Sequence, residues 1–198
     1  MKGAGMLINE KDGLKGEPGR YYDYITAANG VFIKAQNAFL EVCLPVAPFE
    51  KEINILAPLE PGIKLINGKI PLRLINVMQD VLIAMIPWEA YAAIVWRDGY
   101  SLSLPEQSGG ESKISYQPLT DVVLEMHSHP GLPPAFSRDD DLDEQGLKIY
   151  GLLSINYNKF PVEPVFRVGA YGHYFYWPWD DRFEFIEREG EDGIMPTG

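Results

Sequence analysis

The stretch Glu125-Met126-His127-Ser128-His129-Pro130-Gly131-Leu132-Pro133-Pro134-Ala135-Phe136-Ser137-Arg138-Asp139-Asp140 decides how the rest of this chain is read. The chain has three histidines, and two of them stand here at i and i+2. On an extended segment, residues two apart point the same way, so both rings can meet one metal ion. A tetrahedral zinc with an open position for water needs a third protein ligand. Asp140 can supply it, because the run reads His-x-His-x7-Ser-x2-Asp. Gly131, Pro133 and Pro134 turn the chain back, Ser137 caps the helix that follows, and Asp140 in its first turn can point at the strand end. A carboxylate there also meets the positive end of the helix dipole, which favours its ionised, ligating form. The same residues have a plainer reading. Ser137-x-x-Asp140 resembles a capping box, and Asp139, Asp140, Asp141, Asp143 and Glu144 a solvated helix start. The paired histidines tip the balance toward a metal site held by His127, His129 and Asp140, and capping is compatible with ligation.

Working outward, the segment from Val122 to His127 reads as a strand and that from Asp139 to Lys148 as a short helix. Further strands are expected at Tyr150 to Ile155, Val165 to Val168 and Gly172 to Trp177. On the N-terminal side, Tyr91 to Arg97, an Asp98-Gly99 turn and Tyr100 to Leu104 form a hairpin, with another strand near Lys113 to Gln117. Pro71 opens a helix in which Leu74, Met78, Val81 and Met85 recur on one apolar face, and Pro87 ends it. Upstream, Tyr21 to Ala27, an Asn29-Gly30 turn and Val31 to Lys34 read as a hairpin, followed by a strand from Ala38 to Val46. Pro45, Pro48, Pro58 and Pro61 punctuate a connection holding one short strand, Ile53 to Leu56. Residues 1 to about 20, rich in Gly and Lys, read as a loose leader. The expected architecture is α/β: a mixed sheet flanked by helices over residues 69–198, preceded by a small β-rich region over residues 1–68.

Composition removes several classes of function. The net charge of −11 falls almost wholly on residues 71–198, where 20 acidic side chains face 9 basic ones; residues 1–70 hold 8 of each. An acidic domain without a basic stripe repels phosphate backbones, so no nucleic-acid partner is expected. The one cysteine, Cys43, excludes an internal disulfide and any Cys-rich zinc cage, fits a reducing compartment, and reads as a small buried hydrophobe. The N-terminus lacks a signal-type apolar run, and Val81 to Trp88 is too short to cross a bilayer, so a cytoplasmic protein without a membrane partner is expected. Asp139-x-Asp141-x-Asp143 begins like a calcium loop but has Glu144 where the glycine belongs and Tyr150 at the twelfth position. His173, on the aromatic run Tyr171-Gly172-His173-Tyr174-Phe175-Tyr176-Trp177, reads as structural or rim-lining. The Trp177-Pro178-Trp179 segment reads as core or edge, with binding of a partner's tail as the alternative.

The run HSHPGLPPAFSRDD (residues 127–140) resembles the JAMM motif of the JAB/MPN metalloenzymes at all four signature positions. The wider runs AFSRDDDLDEQGLKIYGLL and YYDYITAANGVFIKAQNAFLEVCLPVA are similar to prokaryotic JAB proteins of the PRTRC system protein A kind. The resemblance implies an MPN fold akin to cytidine deaminases and a zinc-dependent hydrolase of peptide or isopeptide bonds, deubiquitinase-like in chemistry. It assigns the general base to a glutamate at the junction of the first helix and the next strand. Glu89 stands at that junction, although Ala92 and Ala93 follow where the family often has a glycine. Glu125 is a rival by proximity, with less reach to the far side of the metal. The motif serine, Ser137, would steady the tetrahedral oxyanion. Implied substrates are the C-terminal tails of ubiquitin-like or sulfur-carrier-like proteins, and an implied neighbour is an adenylating protein of the ThiF type. The alternatives are a non-catalytic MPN scaffold binding a ubiquitin-like partner, and hydrolysis of small adducts on a sulfur-carrier tail.

Overall fold

Six strands build the first sheet, the central ones alternating between buried and more exposed positions. The computed structural model describes residues 3–109, 114–155, 163–177 and 186–187. It divides into two compact units, one built on residues up to Asn67 together with 145–147 and 169–175, the other on the remainder. The first unit holds β1 (Ala4–Glu10), β2 (Gly13–Glu17), β3 (Tyr22–Ala27), β4 (Gly30–Gln36), β5 (Leu40–Pro48) and β6 (Gly62–Leu65), in the order β2-β1-β3-β4-β5-β6. Ile25, Ala27, Ile33, Leu40, Val42 and Leu44 are buried from successive strands, so alternation at period two supplies this unit's core.

The expected leader is instead a hairpin. Lys11-Asp12 make the turn, and Gly13 continues it at φ +128°, a conformation that suits glycine. β1 then runs parallel to β3, from Ala4 opposite Tyr22 to Ile8 opposite Thr26. The glycines that suggested looseness are sites of close approach: a Cβ on Gly5 would collide with Asp23 Oδ1 and with the backbone of Pro18 and Gly19. The strand expected at Ile53 to Leu56 is also absent, leaving a single bridge from Leu56 to Glu10. Side-chain amides serve this proline-punctuated connection. Asn9 Nδ2 donates to the carbonyls of Ala57 and Pro58, and Asn29 clamps Leu59 by both its N–H and its carbonyl at 2.9 Å. Cys43 is half-buried on β5 opposite Lys34, not fully enclosed, and burial pushes its thiol pKa up.

The chain continues with β7 (Ile70–Pro71), α1 (Leu72–Ala84), β8 (Tyr91–Trp96), β9 (Tyr100–Ser103), β10 (Gln107–Gly109), β11 (Ile114–Tyr116), β12 (Val122–Pro130), α2 (Arg138–Asp143), β13 (Lys148–Ile155), β14 (Val165–Ala170), β15 (His173–Trp177) and β16 (Ile186–Glu187), all of the second unit except the end of β14 and the start of β15, which fall in the first. The second six-stranded sheet has the order β15-β14-β13-β12-β8-β9, while β10 pairs with β11 and β16 with β7. β12 runs parallel to β13 and antiparallel to β8, so the sheet is mixed. β8 is buried along both faces, and Tyr91, Ala93 and Val95 cluster with Val122, Ile114 and Leu119. Among the described residues, no helix is long and apolar enough to cross a membrane.

Two helices differ from the sequence expectation. On α1 the buried residues are Ile75, Met78 and Leu82, while Leu74, Val81 and Met85 are half-buried. Leu72–Ala84 is apolar over two neighbouring stripes about 100° apart, and only packing on β8, β12 and β13 selects between them. α2 stops at Asp143, short of the expected Lys148. The apolar run beyond it belongs to the parallel ladder, with Leu124 opposite Ile149 and His127 opposite Leu152. Pro178 and Trp179, singled out in the sequence, lie outside the described residues.

Candidate metal centre

β12 extends past the expected end at His127 to Pro130, which puts both histidines on one strand. At period two they share a face, and their Nε2 atoms stand 3.1 Å apart. After Pro130 the chain leaves the sheet at Gly131, whose φ of +71° is readily adopted by glycine and whose N–H donates to the carbonyl of Ile155 at 2.7 Å. The Leu132 carbonyl accepts from Ser154 Oγ, securing the start of the loop. The loop delivers Ser137 as the N-cap of α2, where a full capping box forms. Ser137 Oγ accepts the Asp140 N–H at 3.1 Å, and Asp140 Oδ2 accepts the Ser137 N–H at 2.5 Å. The capping reading of Ser137-x-x-Asp140 is therefore present in the structure, and the cap leaves the Asp140 carboxylate beside His127 and His129.

Asp140 Oδ1 lies 3.2 Å from His127 Nε2, and Oδ2 lies 3.8 Å from His129 Nε2. Donors at ~2.0–2.1 Å from a tetrahedral zinc would be separated by about 3.3–3.4 Å, and these separations bracket that value. One ligand atom from each of His127, His129 and Asp140 fits within 4.8 Å of the others. Two imidazoles and one carboxylate offer N and O donors with one negative charge, a set that suits a divalent borderline ion such as zinc. The electrostatics agree. Burial works against ionising Asp140, yet the hydrogen bond and charge of His127 and the bonds from Ser137 hold its carboxyl well below the usual range. Burial also opposes the charging of His127, but Asp140, Glu144 and Glu89 raise its pKa; at His129 burial and the neighbouring His127 lower it. The proton His127 favours lies among groups that a metal cation would satisfy at once.

Glu89 follows the turn after α1, directly before β8, and is 8% exposed. It lines the same cleft as His127, His129, Ser137 and Asp140. Burial raises its pKa, His127 pulls it down and Asp140 pushes it up, so it stands within electrostatic reach of the ligand set. Glu125 also lines the cleft but is engaged elsewhere: its Oε2 accepts from Tyr91 OH and from Lys148 Nζ, both at 2.9 Å. His173 belongs to the first unit, where its Nε2 is 2.7 Å from Tyr24 OH and the two rings meet edge to face.

Ser128 and Arg167 escape the sequence reading, and Glu144, expected at a solvated helix start, is instead buried. Ser128, between the two histidines and fully buried, accepts the Ala90 N–H on its Oγ at 3.0 Å, and its own N–H donates to the Ala90 carbonyl at 2.9 Å. It ties the residue after Glu89 to the ligand strand. Glu144, one turn beyond Asp140, places Oε1 3.6 Å from His127 Nδ1; burial pushes its pKa up to about 7 against the pull of His127 and Arg167. Arg167, with no exposed side-chain surface, holds Glu144 Oε2 through Nε at 3.1 Å and Nη2 at 2.7 Å. One signal for Arg167 was available: a lone cation in Val165-Phe166-Arg167-Val168 has to find a partner if that strand is buried.

No curated protein matches the chain. A family model described as prokaryotic homologues of the JAB domain matches residues 69–167, half the chain, and spans α1, β8, β12, the three candidate ligands and α2. The cleft in which His127, His129 and Asp140 meet lies inside that match, and the chain belongs to the prokaryotic JAB domain family.

Proposed function

We propose that this chain is a zinc-dependent hydrolase of peptide or isopeptide bonds, with His127, His129 and Asp140 holding the metal and Glu89 acting as general base. The observation that carries the proposal is the near-tetrahedral spacing of the three donors in one cleft that also contains a buried carboxyl. When bound, zinc in such a site supplies Lewis acidity, polarising water and carbonyl oxygens. Glu89 receives the proton of the attacking water and passes it to the leaving amine; a carboxyl pKa raised by burial is better matched to both transfers than an ordinary one. Ser137 accepts the Asp140 N–H with its oxygen lone pair, so its hydroxyl proton can be donated to the developing oxyanion.

The neighbouring sheet edge supports an extended substrate. β9 pairs with β8 from Ala93 to Trp96, leaving Tyr91 beyond its reach. There the Gln107 side-chain amide pairs with the Tyr91 backbone, accepting its N–H at 2.8 Å and donating to its carbonyl at 2.9 Å. A primary amide in that place imitates the peptide group of an added strand, two residues from Glu89. An extended C-terminal tail of a ubiquitin-like or sulfur-carrier-like protein is the substrate class we favour. A ThiF-type adenylating protein is the matching partner, and a reducing cytoplasmic setting fits the single cysteine.

The test is zinc content of the purified chain beside a double His127→Ala, His129→Ala variant, followed by linear and isopeptide-linked substrates with Glu89→Gln as control. About one zinc per chain, lost in the double variant, with turnover abolished by Glu89→Gln, is the expected outcome. Stoichiometric zinc without cleavage of any substrate would leave a non-catalytic scaffold, and zinc retained without those histidines would remove the metal assignment.

A further inference from the structure

Arg167 on β14 is the largest fully buried side chain of the described residues and the one cation among them. A buried guanidinium is costly unless its donors are met. Here Nη1 reaches Asp141 Oδ1 at 2.5 Å, Nε and Nη2 converge on Glu144 Oε2, and the group sits 3.8 Å over the ring of Phe136. Phe136, Asp141 and Glu144 flank Ser137 and Asp140 on the segment that delivers the third ligand. The cation therefore gathers that segment on both sides of Asp140. Glu144 spends Oε2 on the guanidinium, and its other oxygen, Oε1, lies beside His127 Nδ1. At 3.6 Å this contact is longer than a hydrogen bond, so the coupling in this geometry is electrostatic.

We infer that Arg167 and Glu144 form a positioning relay for the metal centre. Arg167 holds Glu144, and the Glu144 carboxylate favours the His127 tautomer whose proton is on Nδ1, leaving the Nε2 lone pair directed at the metal. A carboxylate behind a ligating imidazole acts in this way by fixing both ring orientation and tautomer. The inference rests on the zinc reading above and adds two positioning residues, neither of which touches substrate.

The test measures the zinc dissociation constant of the full chain by chelator competition, with the melting temperature of the metal-free protein recorded for each variant. Glu144→Gln, which keeps the shape, and Arg167→Lys, which keeps the charge but loses the fork, are each expected to weaken zinc binding about 10- to 100-fold. The double variant is expected to be little weaker than the worse single one, because both changes break one relay. If Arg167→Lys does not fold, Glu144→Gln decides alone. Wild-type zinc affinity in both folded variants, with only the metal-free melting temperature lowered, would make Arg167 a structural ion pair and overturn the relay. Absence of zinc from the wild-type chain would overturn the metal reading and the relay together.

Discussion

Ser128→Ala isolates the link between β12, which carries the candidate ligands, and Glu89, the proposed general base. The substitution leaves β12, both histidines and the Ser128 N–H to Ala90 carbonyl bond in place, and removes the acceptor of the Ala90 N–H. Ser128 and Ala90 are both fully buried, so no water replaces that acceptor without a local opening. A buried donor left unsatisfied costs ~1–3 kcal/mol. For a chain of this size each kcal/mol lowers the melting temperature by about 2–4 °C, so a cost of ~2 kcal/mol predicts a drop of about 4–8 °C. Function should suffer separately. Ala90 is covalently next to Glu89, and a base displaced by about 1 Å loses on the order of 100-fold in rate. Ser128→Ala is therefore expected to keep about one zinc per chain while kcat/KM on a cleavable substrate falls about 10- to 100-fold. Differential scanning calorimetry, elemental analysis and steady-state kinetics read the three quantities. A melting temperature within about 1 °C of wild type together with unchanged kcat/KM would refute the anchoring argument.

Two further substitutions probe packing and capping. Gly151→Ala on β13 would place a Cβ 2.9 Å from Met126 Cε and 3.1 Å from Phe166 Cε1, so overpacking of ~1–3 kcal/mol should lower the urea midpoint without affecting α2. Ser137→Ala removes the N-cap of α2 at ~0.5–2 kcal/mol of stability, and with its hydroxyl in the proposed oxyanion role it should lower kcat by a larger factor than it weakens zinc binding; equal loss in both would assign Ser137 to the ligand support alone.

The grouping of the candidate ligands was legible because it is local. His127 and His129 depend on strand alternation, and Asp140 on a loop and a helix cap, all within fourteen residues. The hairpins around Asn29-Gly30 and Asp98-Gly99 were legible for the same reason, since a short turn and its flanking strands are written next to one another, although the first turn is Ala28-Asn29, with Gly30 already paired to Ala27, and the second spans three residues, 97–99. What failed was non-local. β1 is a strand because it lies parallel to β3, and nothing within residues 1–20 names that partner. The Asp12-Gly13 pair was a readable turn signal, outweighed by a glycine content whose purpose, the close approach of Gly5 to Pro18 and Gly19, only the folded chain reveals. The expected face of α1 is off by about one residue because its sequence offers two apolar stripes, and the expected α2 overruns because the chain bends after Asp143 and Lys148 already opens β13.

The same division orders the chemistry. A contiguous segment, 127–140, brings the candidate metal-binding atoms, and its own capping box orients one of them. Three more distant groups decide how well those atoms serve. Ala90, held by Ser128, sets where Glu89 stands; Glu144 faces the back of the His127 ring; and Arg167, from a strand 27 residues past Asp140 in the chain, holds Glu144 and Asp141. Changes within the segment should therefore abolish metal binding outright, whereas changes in the distant groups should leave a metal that is bound more weakly or a base that is poorly aimed. A sequence reading that stops at the signature finds the ligands and misses the residues that grade their performance. Those residues are recoverable by asking of each charge in a buried strand which partner makes its burial tolerable.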